Sequence, residues 1–162
     1  MRDFQKYAAI LALFSTVLYL ALVVAALGLI SLGADLEVIP QKDAGPLVGP
    51  SMTGAAVMLV FIMLLILGIN TPPERQRVAI SFSFLTGVAA YGIFIAVGAV
   101  LYAIGSKQTF DVITFSGSML LSPFAFATGA LAFIVTLVYS VILASHMGER
   151  GRPLWPWERR NE

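Results

Sequence analysis

Charged residues and long apolar stretches alternate along the chain with almost no overlap. No Asp, Glu, Lys, Arg or His occurs in 7–34, 44–73, 78–106 or 112–145, and each interval is dominated by Leu, Ile, Val, Phe, Ala and Met. A run of roughly 18 or more such residues is the signature of a membrane-spanning helix. The pattern therefore predicts spans at about 7–32, 51–69, 78–104 and 119–145. Because lipid leaves no partner for unpaired backbone groups, four such spans imply an all-α fold: a transmembrane four-helix bundle running up-down-up-down. Residues 1–149 form the four-span domain and 150–162 a tail.

Helix ends are legible between the spans. Thr71-Pro72-Pro73-Glu74-Arg75-Gln76-Arg77 separates the first two spans from the last two. Thr71 precedes Glu74 by the spacing of a capping box, and Pro72 suits a first helical position, so the third helix is predicted to start here. Gly33 is the expected terminator of the first helix and Gly105-Ser106 of the third. The second is predicted from Pro50 or Ser51 to Gly68 or Ile69, and the fourth from Ser122-Pro123 to near His146. The first span reaches about 39 Å at helical rise, more than the hydrocarbon thickness, and so must tilt or project. That run also exceeds the apolar core of a cleavable signal peptide, so it is kept as a span.

Small residues at helical spacing suggest how the spans pack, since close backbone approach drives association in lipid. The strips are Ala21, Ala25 and Gly28 in the first span; Ala89, Gly92, Ala96, Ala99 and Ala103 in the third; and Ala125, Gly129, Ala132, Thr136 and Ser140 in the fourth. The third-span strip is expected at the centre of the bundle, with contact to another copy of the chain as the alternative. The second span has few small residues and is expected to face lipid over much of its surface. Between spans, Leu36-Glu37-Val38-Ile39 and Phe110-Asp111-Val112-Ile113-Thr114-Phe115 have strand-like composition and are expected to pair as a small outer β-element. A faint internal repeat pairs Tyr19 with Tyr91, Gly33 with Gly105, Pro50 with Pro123 and Thr53-Gly54-Ala55 with Thr128-Gly129-Ala130, at offsets of 72 to 75. It suggests two tandem helical hairpins.

Composition sharpens this picture by exclusion. With 59% hydrophobic and 12% charged residues, the chain is unlike a soluble domain. A net charge of +1, dispersed near the span ends, offers nothing for nucleic acid. Arg2, Lys6, Arg75, Arg77, Arg150, Arg152, Arg159 and Arg160 share one side of the alternating topology, against Lys42 and Lys107 on the other. This bias places both termini in the cytoplasm. Arg152, Trp155, Trp157 and Arg159 then read as an anchor at the cytoplasmic headgroups, or as a docking peptide for a cytoplasmic partner.

Chemistry is hard to find. The spans carry no ionisable residue of the kind that marks proton relays and ion pathways. There is no cysteine and His146 is the single histidine, which excludes a thiolate site and a bis-histidine haem. The acidic residues of 34–49 lack the spacing of a calcium loop and suit a solvated outer loop. Hydroxyls such as Ser83, Thr86, Thr128 and Thr136 have no base within their spans. No catalytic, cofactor or metal residue is assigned, and an enzyme is not expected.

Two short pieces carry a resemblance. Glu37-Val38-Ile39-Pro40 with Asp43-Ala44-Gly45-Pro46-Leu47, and Arg152-Pro153-Leu154-Trp155-Pro156-Trp157-Glu158-Arg159, resemble small four-span membrane proteins of actinobacteria from families of unknown function. The resemblance implies a plasma-membrane location and transfers no activity. The expected role is that of a non-enzymatic membrane protein that contacts the bilayer and other membrane proteins or itself, such as an accessory subunit. The alternative is a carrier or binder of an apolar small molecule or lipid, with a cavity between the hairpins lined by Tyr19, Tyr91 or Thr86.

Overall fold

A computed structural model describes residues 2–35, 47–70, 78–105 and 109–147. It contains five helices, α1 (Arg2–Ala34), α2 (Val48–Asn70), α3 (Ile80–Gly105), α4 (Thr109–Leu120) and α5 (Pro123–Met147), and no strand among the described residues. Four of them are long and apolar enough to cross a membrane: Phe4–Ala34, Val48–Asn70, Ile80–Ile104 and Pro123–Ser145. The all-α bundle of four spans expected from the sequence is thus the observed fold, and the chain is a multi-pass membrane protein. Each of α1 and α3 packs between α2 and α5, which also touch across the middle, while α4 lies against α3.

The packing follows from a stripe on each helix. In α2, Val48, Met52, Ala56, Val60, Leu64 and Gly68 recur every fourth residue and are all buried. In α1 the buried stripe is Phe4, Ala8, Ala12, Thr16, Tyr19 and Val23. Large side chains on the remaining faces, such as Phe14, Leu29, Phe84 and Val100, are exposed, as a surface in contact with lipid tails requires. One core cluster joins α1, α2, α3 and α5 around Tyr19, Leu64 and Tyr139. A second gathers Val48, Met52, Phe94, Tyr102, Phe115 and Met119 at the other end of the bundle, without α1.

Two tyrosines tie α1 to α5 in antiparallel register. Tyr19 donates its hydroxyl to the Thr128 carbonyl at 3.1 Å, and Tyr139 donates to the Ala8 carbonyl at 3.0 Å. Beside the second bond, Gly68 leaves room for α2: a Cβ there would overlap the Tyr139 hydroxyl and stand 3.0 Å from the Ala8 Cβ.

Several sequence expectations are corrected. Phe110-Asp111-Val112-Ile113-Thr114-Phe115 belongs to helix α4, so the outer β-element does not form; its other half, 36–39, lies outside the described residues. Strand propensity is a weak prior that burial overrides. Phe115 and Met119, one helical turn apart, are both buried, and the Phe115 ring stacks on Tyr102 with centroids 4.6 Å apart and planes 9° apart. The capping box from Thr71 to Glu74 also lies outside the described residues, but Val78 and Ala79 are not helical and α3 starts at Ile80. Its start is tied across the bundle, with the Ala79 N–H donated to Ser140 Oγ at 3.3 Å. Gly33 stays helical, and α1 ends instead at Asp35, which takes the left-handed φ of 52° that Asp tolerates better than most residues. The second helix starts a turn early, with the Ser51 N–H bonded to the Leu47 carbonyl and Pro50 harmless within the first turn.

The predicted start at Ser122-Pro123 is observed. Ser122 Oγ accepts the Phe124 N–H at 3.3 Å, as an N-cap does. Just before it, α4 runs back along α3, from Phe115 beside Tyr102 to Leu120 at Tyr91. Its 12 residues, about 18 Å long, lie along the second half of α3.

Candidate functional site

α3 and α5 meet at a pair of glycines: a Cβ on Gly87 would stand 3.0 Å from the Gly129 carbonyl oxygen and from the Phe133 Cβ. Reciprocally, a Cβ on Gly129 would meet the Tyr91 Cβ at 2.9 Å and the Gly87 carbonyl oxygen at 3.0 Å. Only glycine at both positions allows this approach, which brings backbone against backbone.

The reciprocity has its origin in the sequence. Residues 82–91, Phe-Ser-Phe-Leu-Thr-Gly-Val-Ala-Ala-Tyr, and 124–133, Phe-Ala-Phe-Ala-Thr-Gly-Ala-Leu-Ala-Phe, agree at five of ten positions, with Tyr91 facing Phe133 in the alignment. Equivalent residues behave alike. Phe84 is 65% and Phe126 60% exposed, Ala90 and Ala132 are both fully buried, and Thr86 and Thr128 each donate to the carbonyl four residues back at 2.9 Å. Since α3 and α5 are antiparallel, the two copies are related by a local two-fold axis passing between the glycines and lying in the membrane plane.

Between the copies lies an outward-facing groove of 490 Å³, within the range of small-ligand sites. Gly87 and Gly129 leave its floor without side chains, and it is lined by Phe84, Val88 and Tyr91 from α3 with Phe126, Ala130 and Phe133 from α5. The Tyr91 and Phe126 rings are 5.4 Å apart at 52°. Tyr91 carries the one hydroxyl of the lining, which it donates to the Leu120 carbonyl at the end of α4. That bond is where the symmetry breaks, because Phe133 has no hydroxyl. The groove offers neither charge nor a free donor, so it recognises by shape and apolar contact alone. A smaller groove of 310 Å³ lies between α1 and α2 along Leu13, Thr16, Gly54 and Phe61.

The interior holds a set of hydroxyls with local partners. Thr16 and Ser83 donate to the carbonyl four residues back, and Ser140 to the carbonyl three back. Thr136 Oγ1 is the buried side-chain oxygen without a hydrogen-bond partner among the described residues. No group of three metal-ligating side chains occurs among the described residues.

The residues singled out from the sequence are placed unevenly. Ala125, Gly129, Ala132 and Thr136 are buried at the interface of α5 with its neighbours. On α3, Ala89 and Ala99 are half-buried, whereas Gly92, Ala96 and Ala103 face outward, so this strip is not the centre of the bundle. The inward face is Ser83, Thr86, Gly87, Ala90, Phe94 and Gly98. Gly92 and Ala96 stand two residues on from Ala90 and Phe94, about 200° around the helix. Ala21, Ala25 and Gly28 of α1 are outward for the same reason. Tyr19 and Thr86 are buried in the packed interior, while Tyr91 lines the groove. Arg152, Trp155, Trp157 and Arg159 lie outside the described residues. Gly87, Phe84, Phe126 and Phe133 were missed; the repeat at offset 42 between 82–91 and 124–133 is the signal that points to them.

A model of a family of unknown function, DUF6121, matches residues 1–162. No curated protein and no solved structure matches the chain.

Proposed function

The chain belongs to DUF6121, and from that premise, which supplies no activity, we propose that it is a non-enzymatic plasma-membrane protein acting as an accessory subunit through lateral helix contacts. One observation carries this reading: the small-residue strips that the bundle does not use, Gly92, Ala96 and Ala103 on α3 and Ala21, Ala25 and Gly28 on α1, face outward. A Cβ on Gly92 or Gly28 would meet nothing within 4 Å, so another helix has room to approach at backbone distance. The excess of Lys and Arg on one side of the topology supports cytoplasmic termini. Extraction in mild detergent tests the role. A stoichiometric membrane partner should remain bound, and Gly92→Leu with Ala96→Leu should release it without lowering the melting temperature. Recovery of isolated monomer from every gentle extraction would end this reading.

A second reading, binding of an apolar small molecule or lipid, is favoured by the groove between α3 and α5. Tyr91 lines it as that reading requires, although the groove opens outward rather than between the hairpins. Identification of any lipid retained through gentle purification tests it.

A further inference from the structure

We propose that the groove between α3 and α5 seats one hydrocarbon chain of a membrane lipid and accepts that chain from either leaflet. The inference deepens the lipid-binding reading above and rests on it. It adds the occupant, its depth and its lack of direction.

Depth comes first. Gly87 lies seven residues into α3 and Gly129 six residues into α5, so each is about 9 to 10 Å from the start of its helix. The two starts point to opposite ends of the bundle, which puts the crossing near the middle of the span. Headgroups do not reach this depth, since the hydrocarbon core is about 30 Å thick. The lining agrees with the depth: its single hydroxyl, on Tyr91, is already donated to Leu120.

The size of the groove separates a chain from a second protein. Eight residues line it, whereas a stable protein interface takes about 20–30 residues a side. Exposed Phe84 and Phe126 stand either side of a floor that has no side chain at Gly87 and Gly129. A flexible polymethylene chain fits between such rims and gains dispersion contacts along the floor that a loosely packed lipid shell lacks.

Symmetry gives the lack of direction. Phe84, Gly87 and Tyr91 repeat as Phe126, Gly129 and Phe133 on the antiparallel helix. A chain entering from one side of the membrane therefore meets the same rim, floor and far wall as a chain entering from the other. A site built to select a headgroup would differ at its two ends; this one differs at its lining by Val88 against Ala130 and by the Tyr91 hydroxyl.

The test uses the full chain in proteoliposomes with a phospholipid carrying a diazirine near the end of one acyl chain, loaded into either leaflet. Mass spectrometry of the cross-linked peptides then maps the label. The expected result is labelling of 82–91 and 124–133 above other lipid-facing segments from both leaflets. It should be lost in Val88→Phe and in Ala130→Phe, which fill the groove from its two symmetric sides, and retained in Ala25→Phe on α1. Labelling from one leaflet only would overturn the proposal and leave the lipid-binding reading standing. Uniform labelling over all lipid-facing segments would end both. Protection of the two segments in a dimeric protein would assign the groove to a second copy and overturn the proposal.

Discussion

At Gly68 three helices meet within one side-chain length, and the contact has a cost that can be measured. The Cβ of an alanine there would overlap the Tyr139 hydroxyl, which is held against the Ala8 carbonyl. Gly68→Ala should destabilise the protein by about 1–3 kcal/mol, the range for overpacking. Tyr139→Phe removes a single interhelical hydrogen bond and should cost about 0.6 kcal/mol. In the double variant the overlapping oxygen is gone, so the two losses should sum to less than their separate values, as residues in direct contact do. Reversible unfolding in mixed micelles measures all three. Gly92 and Gly129 make a second pair of opposites. Both sit in small-residue strips and look alike in the sequence. Gly129→Ala forces α3 and α5 apart and should cost about 1–3 kcal/mol, while Gly92→Ala meets open space and should change stability by no more than about 0.5 kcal/mol. The sequence could not separate them because rotation of a helix about its axis is set by its whole buried stripe. In α3 that stripe includes Phe94 and Tyr102, so smallness alone pointed to the wrong face.

At the scale of the elements, the four spans were legible because lipid enforces long charge-free helices and little else determines their approximate extent. The boundaries that failed are those set by tertiary contacts. α3 starts where Ser140 of α5 binds the Ala79 N–H, a partner that no local pattern reveals. α4 was read as a strand because Val112, Ile113 and Thr114 are β-branched, yet the turn that buries Phe115 and Met119 against the end of the bundle is helical. The groove was illegible for a related reason: its two halves are 42 residues apart in sequence and only an antiparallel crossing turns their likeness into a site. Two side-chain hydrogen bonds at the joint between α4 and α5 can be removed singly. Ser122→Ala deletes the cap on the Phe124 N–H and should cost about 1 kcal/mol. Tyr91→Phe keeps the groove wall but frees the Leu120 carbonyl. Amide exchange should therefore quicken at residues 120–124 in both variants, and remain unchanged in the middle of α2. Unchanged exchange at the joint after Tyr91→Phe would mean that the Leu120 bond adds little to the hold on α4 of buried Phe115 and Met119.

For the whole molecule, the asymmetry that matters is between the two ends of the bundle. Four helices converge from Tyr139 at one end to Tyr19 further in, whereas α1 is absent from the cluster at the other end and leaves Leu29 and Leu32 exposed. The end with α4 is closed by side chains of α2, α3, α4 and α5. The alternation of the spans assigns eight Lys and Arg residues to the side of 71–77 and two to the side of 35–46 and 106–108. If the positive-inside bias governs insertion, the end closed by α4 faces away from the cytoplasm. The natural chain has no cysteine, so single cysteines can report on this with no background. A membrane-impermeant maleimide added to intact cells should label Gln41→Cys and Gln108→Cys, while Gln76→Cys should react only after the membrane is opened. The reverse pattern would place the α4 end in the cytoplasm. Because 7–34, 44–73, 78–106 and 112–145 carry no charge, moving the basic residues should be enough to invert the protein: replacing Arg2, Lys6, Arg75 and Arg77 with Gln leaves four Lys and Arg on that side, and adding several Lys near 41 and 108, so that the other side holds more, should shift labelling toward Gln76→Cys in intact cells, with the helices themselves unchanged.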